Sequence, residues 1–268
     1  MVLAESYFDS LCSALFPHGT QRRQVVILRQ AYFDETGTQD DSFLMVGGLI
    51  ASADNWQLFN RKWLELMGSE EAARSFKAKN CRDDDLLGRA AQLAWDHSDC
   101  GFVISICPSE YEQATSSRFR SQIGSAYTLC LKDATAKVGD WADRGNMSEP
   151  ISYFFDAGHR NQEQANEYFR RVFTRMPHER VKIRLGSWTF ADDRLVWPLK
   201  AAEILALTHY RWEYRSLDTP AREVFHRQAT RIIIRTHLTL QEIQGLVAQL
   251  EELYADRRSR RSGTRRSD

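Results

Sequence analysis

The sequence predicts an α/β fold, a mixed sheet flanked by helices with a helical appendage towards the C-terminus. Two observations carry this expectation. Short runs of β-branched and aromatic residues, such as Val25-Val26-Ile27-Leu28 and Tyr153-Phe154-Phe155, recur between longer stretches with helical apolar spacing. Their order is also informative: three strands with helices inserted, then helix, strand, helix, strand and helix.

In chain order, Leu3, Tyr7, Leu11 and Leu15 recur at four-residue spacing and predict a helix over 1–17, within an N-terminal extension 1–24. A core spanning 25–215 opens with a strand over 24–35, and the turn signal Thr36-Gly37-Thr38 follows. The apolar run 43–50 fits a hairpin partner, in which Gly47-Gly48 permits a bulge or a close backbone approach. Residues 54–67 form a helix with Trp56, Phe59, Trp63 and Leu66 on one stripe, and 83–95 form another. Strands are expected at 101–107, 151–155 and 181–190, with helices at 121–138 and 162–176. Pro198 opens a helix that reaches Tyr214, since proline suits the first helical position. Beyond it, 216–256 reads as purely helical. Thr239 and Glu242 form a capping box there, followed by an apolar stripe of Ile243, Leu246, Val247, Leu250 and Leu253. The stripe suits packing on the core, or a homodimer through these C-terminal helices.

The 268 residues, 43% hydrophobic and 27% charged, can bury a substantial interior. No apolar run approaches the roughly 18 residues that a membrane helix needs, so no membrane partner is expected. Glu5 and Asp9 stand where a secretory signal carries positive charge, and the expected location is cytoplasmic. The five cysteines include no C-x-x-C pair and no histidine at zinc spacing, which favours buried free thiols over disulfides or zinc. Charge is balanced overall, but residues 257–268 carry a net +5 and the remainder a net −5. An acidic body argues against broad nonspecific duplex binding. The arginine-rich tail reads as a disordered, solvated end, with nucleic-acid contact as the alternative.

Three carboxylates stand out. Asp34 ends one apolar strand in Tyr32-Phe33-Asp34-Glu35-Thr36-Gly37, and Asp156 ends another in Phe154-Phe155-Asp156-Ala157-Gly158. Strand ends are where α/β folds gather chemistry, although an aspartate there also initiates turns. Glu203 lies in a helix apolar almost all round, so its carboxylate is expected to be buried and to need a partner. That partner is either a metal ion or Lys200, three residues earlier. Converging carboxylates suit magnesium or manganese, hard cations with oxygen ligands. Glu35 joins as a further ligand candidate if the turn redirects it. Asp192 and Asp193 lie nearby in sequence and equally suit charge compensation at a helix N-terminus.

These segments resemble the bacterial domain-of-unknown-function 3800 family, which is grouped with the ribonuclease H-like superfamily. Tyr32-Phe33-Asp34-Glu35-Thr36-Gly37 looks like that family's Y-x-D-E-S-G opening, followed by Phe43, Val46-Gly47-Gly48, Trp56, Phe59 and Trp63. Asp156 matches its aspartate after a central strand, and the helix from Pro198 to Ala206 looks like its P-L-Q-x-A-D-L-x-A segment. The resemblance spans roughly residues 31–214. It implies a ribonuclease H-like mixed sheet and a nuclease-like site with Asp34, Asp156 and Glu203 as ligands. Some members of that family are associated with mobile elements or phage defence. Three departures matter: Lys200 replaces a glutamine, Glu203 an aspartate, and Lys77 a histidine found in many members. The superfamily's helix carboxylate would fall to Asp133 or be replaced by Glu35.

The leading expectation is a magnesium- or manganese-dependent phosphodiesterase acting on DNA or RNA. Asp34, Asp156 and Glu203 would carry the metal, and Lys77, Lys200 and Arg194 would contact phosphate. The competing expectation is an inactive ribonuclease H-like binding or scaffold protein in which Lys200 and Glu203 neutralise each other.

Overall fold

A computed structural model describes residues 29–37, 42–215, 220–227 and 232–263. The helix expected over 1–17, the start of the first strand at 24–28, Asp40-Asp41 and the last residues of the arginine-rich tail, 264–268, lie outside them.

Among the described residues six strands form one mixed sheet: β1 (Arg29–Thr36), β2 (Leu44–Ser52), β3 (Cys100–Ile106), β4 (Ile151–Asp156), β5 (Leu185–Ala191) and β6 (Ile233–Leu238). Their spatial order is β5-β4-β1-β2-β3-β6. The β1–β2–β3 meander is antiparallel, whereas β4 pairs parallel with β1, β5 with β4, and β6 with β3. This is the expected α/β architecture, and its mixed sheet is consistent with a ribonuclease H-like fold. Helices cover both faces, as parallel strands buried on two sides require. No helix among the described residues is long and apolar enough to cross a membrane.

One face carries α1 (Ala53–Met67), α3 (Asp84–Asp96), α9 (Pro198–Arg215) and α10 (Pro220–Arg227) over Tyr32, Met45, Leu49 and Phe154. Two turns of the chain, α2 (Glu70–Ser75) and a 3₁₀ turn at Ala78–Asn80, extend this layer. The opposite face carries α6 (Ala126–Arg144) and α7 (Gln162–Arg175) over Phe33, Phe102, Tyr153 and Phe155. Short helices α4 (Pro108–Ala114), α5 (Ser117–Ile123) and α8 (Pro177–Lys182) link these elements. The described part of the C-terminal stripe also packs here, with Ile243 buried and Leu246 and Val247 against the same cluster. Cys81, Cys100, Cys107 and Cys130 are free thiols.

Three local expectations need correction. The helix expected over 121–138 is two helices, because Gly124 adopts φ +108°, closing α5, and Ser125 then caps α6 by accepting from the Thr128 amide. The strand expected from Val181 begins only at Leu185, since Pro177 at a first helical position starts α8 across the earlier residues. The segment after Pro220 is not purely helical: 233–238 form β6 at the sheet edge. The capping box does form, with the Thr239 amide donating to Glu242 Oε2 at 2.9 Å and the Glu242 amide to Thr239 Oγ1 at 3.3 Å. It opens α11 (Leu240–Gly263), whose backbone carries the helix through 257–263.

The two central glycines of β2 allow close approach on both faces without a bulge, the β1–β2 register being continuous. A Cβ on Gly47 would stand 2.6 Å from the Ala206 nitrogen and 2.7 Å from its Cα in α9, while one on Gly48 would collide with the Phe33 ring. Replacing Gly47 by alanine is therefore expected to force α9 off the sheet and destabilise the fold by about 2–3 kcal/mol, as overpacking does. Gly245→Ala, at a helical position with open space around it, is expected to be neutral or to stabilise by up to about 1 kcal/mol. Urea unfolding of the two variants checks this contrast, and a Gly47→Ala protein as stable as the parent contradicts it.

Candidate carboxylate site

β1 and β4 run parallel with Phe33 opposite Phe155, so the next residues, Asp34 and Asp156, end neighbouring strands at the same level. Adjacent strands lie about 4.8 Å apart. Strand alternation puts both aspartates on the side of Tyr32 and Phe154, whose rings stack at 4.6 Å beneath α9. Asp34 pairs across the hairpin with Gly47, the residue on which Ala206 sits. Glu203 is three residues before Ala206 and Lys200 three before that, so one helix face delivers both side chains to this strand end. All three sequence-identified carboxylates thus meet in one place.

Asp193 completes the cluster. Its backbone amide donates to Asp156, and its carboxylate, 4% exposed, pairs with Lys77 and stands 2.8 Å from Lys200 Nζ. The Lys200 contact is an ion pair in distance but lies outside directed hydrogen-bond geometry. Lys200 itself is 0% exposed. The sequence left the partner of Glu203 open between a metal ion and Lys200; Lys200 stands beside an oxygen of Asp193, although its charge still reaches Glu203. Glu203, 8% exposed, accepts from the Ala78 amide, and its Oε2 has no hydrogen-bond partner.

The electrostatics follow from this crowding. Burial pushes the Asp34 carboxyl well above its ordinary value, and the charges of Glu35, Asp156, Glu203 and Asp193 add to it. Burial and Asp156 push Glu35 up to about 8, against its own backbone amide and Lys77. Burial and Asp193 raise Asp156 to about 6, with Lys77 opposing. Burial also raises Glu203, although Lys77 and Lys200 pull it down. For Lys77, burial favours the neutral amine, but Asp193, Glu203 and Asp156 outweigh it and hold the ammonium above its usual range.

Glu35 lies on the opposite sheet face from Asp34, since β1 continues to Thr36. At the strand end it still feels Asp34 and Asp156. Asp133 is not in the cluster; its charged neighbours are Lys137, Asp140, Glu242 and Lys182. Arg194 is also outside. It pairs with Asp192 on the surface and lines a shallow hollow with Glu70, Glu71, Arg74 and Ser75. Asp192 is thereby held down at about 2, its hydrogen bond from Arg194 being the main cause. Among the described residues no three acidic, histidine or cysteine side chains already stand in a metal-holding arrangement.

No protein-family model matches the chain, and no curated protein matches it.

The raised carboxyls set a pH dependence for the metal-free protein. Unfolded aspartate and glutamate lose their protons near pH 4, whereas folded Asp156 and Glu35 hold theirs to about 6 and 8. The unfolded chain is therefore the first to release protons, and stability falls as pH rises between about 4 and 8. Thermal melts in chelator are expected to show this slope. Asp156→Asn is expected to flatten it and to raise the melting temperature at pH 8 by roughly 2–4 °C, the shift that 1 kcal/mol gives at this size. A melting temperature that climbs steadily from pH 5 to pH 8 contradicts the reading.

Proposed function

We propose that this chain is a divalent-metal-dependent phosphodiesterase of the ribonuclease H-like kind, related to the domain-of-unknown-function 3800 family and acting on DNA or RNA. The observation that carries the reading is the meeting of Asp34, Asp156 and Glu203, from two strand ends and a buried helix, in one under-compensated acidic cluster. Glu203 Oε2, buried without a partner, is the sharpest sign that a cation belongs there.

Magnesium or manganese fits the donor set, because all the candidate ligands are carboxylate oxygens. Asp34, Asp156 and Glu203 would hold the ion, whereas Glu35, on the other face of β1, contributes only its charge. Such an ion, when bound, activates water and stabilises the leaving oxygen of a phosphodiester. Lys77, whose side chain is 34% exposed, is placed to leave Asp193 and hold a non-bridging phosphate oxygen. Lys200 is too deeply enclosed for that and keeps Asp193 charged and in place. Arg194, on the outer surface, contacts a phosphate further along the strand in exchange for Asp192.

The test is cleavage of single- and double-stranded DNA and RNA with Mn2+. Asp34→Ala and Asp156→Ala are expected to reduce cleavage to background while the protein stays folded by circular dichroism. Chelation should do the same to the parent. Cleavage that survives both substitutions refutes the assignment.

A second reading, an inactive binding or scaffold protein, is favoured by one observation: both lysines converge on Asp193, supplying positive charge from within the chain. Manganese separates the two. A metal site gains about 2.7 kcal/mol at a hundredfold excess over Kd and the melting temperature rises, whereas a site closed by lysines shows no shift.

A further inference from the structure

The sheet face that holds Asp34 ends, three strands away, in a cation. Asp34 lies opposite Gly47, Gly47 opposite Val103, and Val103 opposite Arg235 of β6, so the four form one row. Residues of one row share a face, and three strand spacings separate Arg235 from Asp34 by on the order of 14 Å. Helix α9 follows this row, resting Ala206 on Gly47 and bringing Glu213 to 4.0 Å from the Arg235 guanidinium.

The next row toward the strand ends runs through Thr36, Met45, Ser105 and His237, and it is lined with rings. Phe43, the residue before β2, stacks on Tyr214 of α9 with centroids 3.6 Å apart and planes 16° from parallel, and the His237 ring follows at 5.9 Å. Tyr210 stands 5.9 Å from Tyr214. It closes on Gly37, three residues beyond Asp34, at 3.4 Å from the position a Cβ would take there. The Tyr214 hydroxyl donates to Ser105 Oγ at 3.1 Å, and Ser105 Oγ meets His237 Nδ1 at 3.0 Å, so hydrogen bonds hold the ring edges in place. Past Arg235, the Trp212 ring centre lies 5.3 Å from its guanidinium and 4.6 Å from that of Arg222.

Packing accounts for part of this, since Tyr210 and Tyr214 rest against the core cluster of that face. It does not account for the exposure. Phe43, Tyr210, Trp212 and Tyr214 are only half-buried, and His237 is exposed. The Arg235 side chain is 43% exposed, and Glu213 stands at the outer limit of ion pairing from it. Rings and guanidinium groups thus share one open rim that starts beside the carboxylate site, on a body (residues 1–256) of net charge −5. A cationic, aromatic rim on an acidic body is complementary to an anion with flat faces.

We propose that this rim is a binding track for single-stranded nucleic acid, whose bases stack on Phe43, Tyr214 and Trp212 while Arg235 holds a phosphate. Single strands are bound in this way, by cations that follow the backbone and rings that stack on the bases, whereas a duplex hides the base faces. Delivery of the strand to Asp34 and Asp156 rests on the phosphodiesterase reading above; the binding itself does not.

The experiment is fluorescence anisotropy of the full chain with a labelled single-stranded oligonucleotide, as DNA and as RNA, and with the duplex formed from the same strand. Chelator is present throughout, so that binding is read without cleavage. The parent is expected to bind the single strand more tightly than the duplex. Phe43→Ala is expected to bind it about 5–140-fold more weakly, the worth of one stacked base. Arg235→Gln, at a side chain open to solvent, keeps the test independent of folding. It is expected to weaken binding and to reduce the slope of log affinity against log salt by about 0.7, one phosphate contact on a single strand. Equal or tighter binding of the duplex overturns the proposal, and so does unchanged affinity in either variant. Competition by polyglutamate as strong as by unlabelled strand also overturns it, by making the rim a surface for acidic proteins. Single-strand binding with no Mn2+-dependent cleavage supports the track and overturns only the phosphodiesterase reading.

Discussion

The contact of α9 with the bare backbone of Gly47 is the constraint on which the site depends. A helix normally packs on a sheet through side chains, whose length keeps its axis well above the strands. Here Ala206 meets a glycine, and the helix backbone reaches the hairpin directly. That approach lowers Lys200 and Glu203 to the level of Asp34, which pairs with the same glycine. The opposite face repeats the device, with the Phe33 ring filling the space above Gly48. Both layers are thus drawn onto the strand end where the acidic groups gather.

Such a cluster is locally unfavourable. Buried carboxylates need compensation, and carboxyl groups placed side by side resist ionisation together. The fold supplies compensation to Asp193, by two ammonium groups, and partial compensation to Asp156 and Glu203 by backbone amides. Among the described residues, Asp34 receives no such partner beyond its neighbour's amide, that of Glu35 at 2.7 Å. Two well-packed hydrophobic clusters, one on each face, hold the arrangement against this repulsion. Local conflict tolerated within an otherwise consistent core is the pattern expected of a functional site.

Much of this was legible in the sequence because it depends on local order. An aspartate after an apolar strand marks a strand end, and a glutamate inside an apolar helix marks a buried charge. Those two patterns identified Asp34, Asp156 and Glu203. Asp193 was legible only as a helix-start acid beside Asp192, because its decisive partner Lys77 is 116 residues away in the chain. Nothing local distinguished the two aspartates, although one is exposed on Arg194 and the other enclosed by lysines. Strand β6 carries a local signal, Ile232-Ile233-Ile234, within a segment whose pattern is otherwise helical. The break at Gly124 was likewise present, as a glycine followed by a serine cap.

Lys77 and Lys200 need not close the site. Among the described residues, Asp34, Glu35, Asp156, Asp193 and Glu203 feel two nearby ammonium groups, which leaves three charges over if every carboxyl ionises. Both lysines spend their closest contact on the same carboxylate, and neither gives Glu203 Oε2 a hydrogen bond. The pair therefore neutralises the residue that lies outside the proposed ligand set and leaves the ligands themselves in excess. Lys200 is then better understood with Asp193 than against Glu203. What remains for a hard dication is a set of oxygens whose mutual repulsion only a dication, a proton or a displaced lysine can relieve.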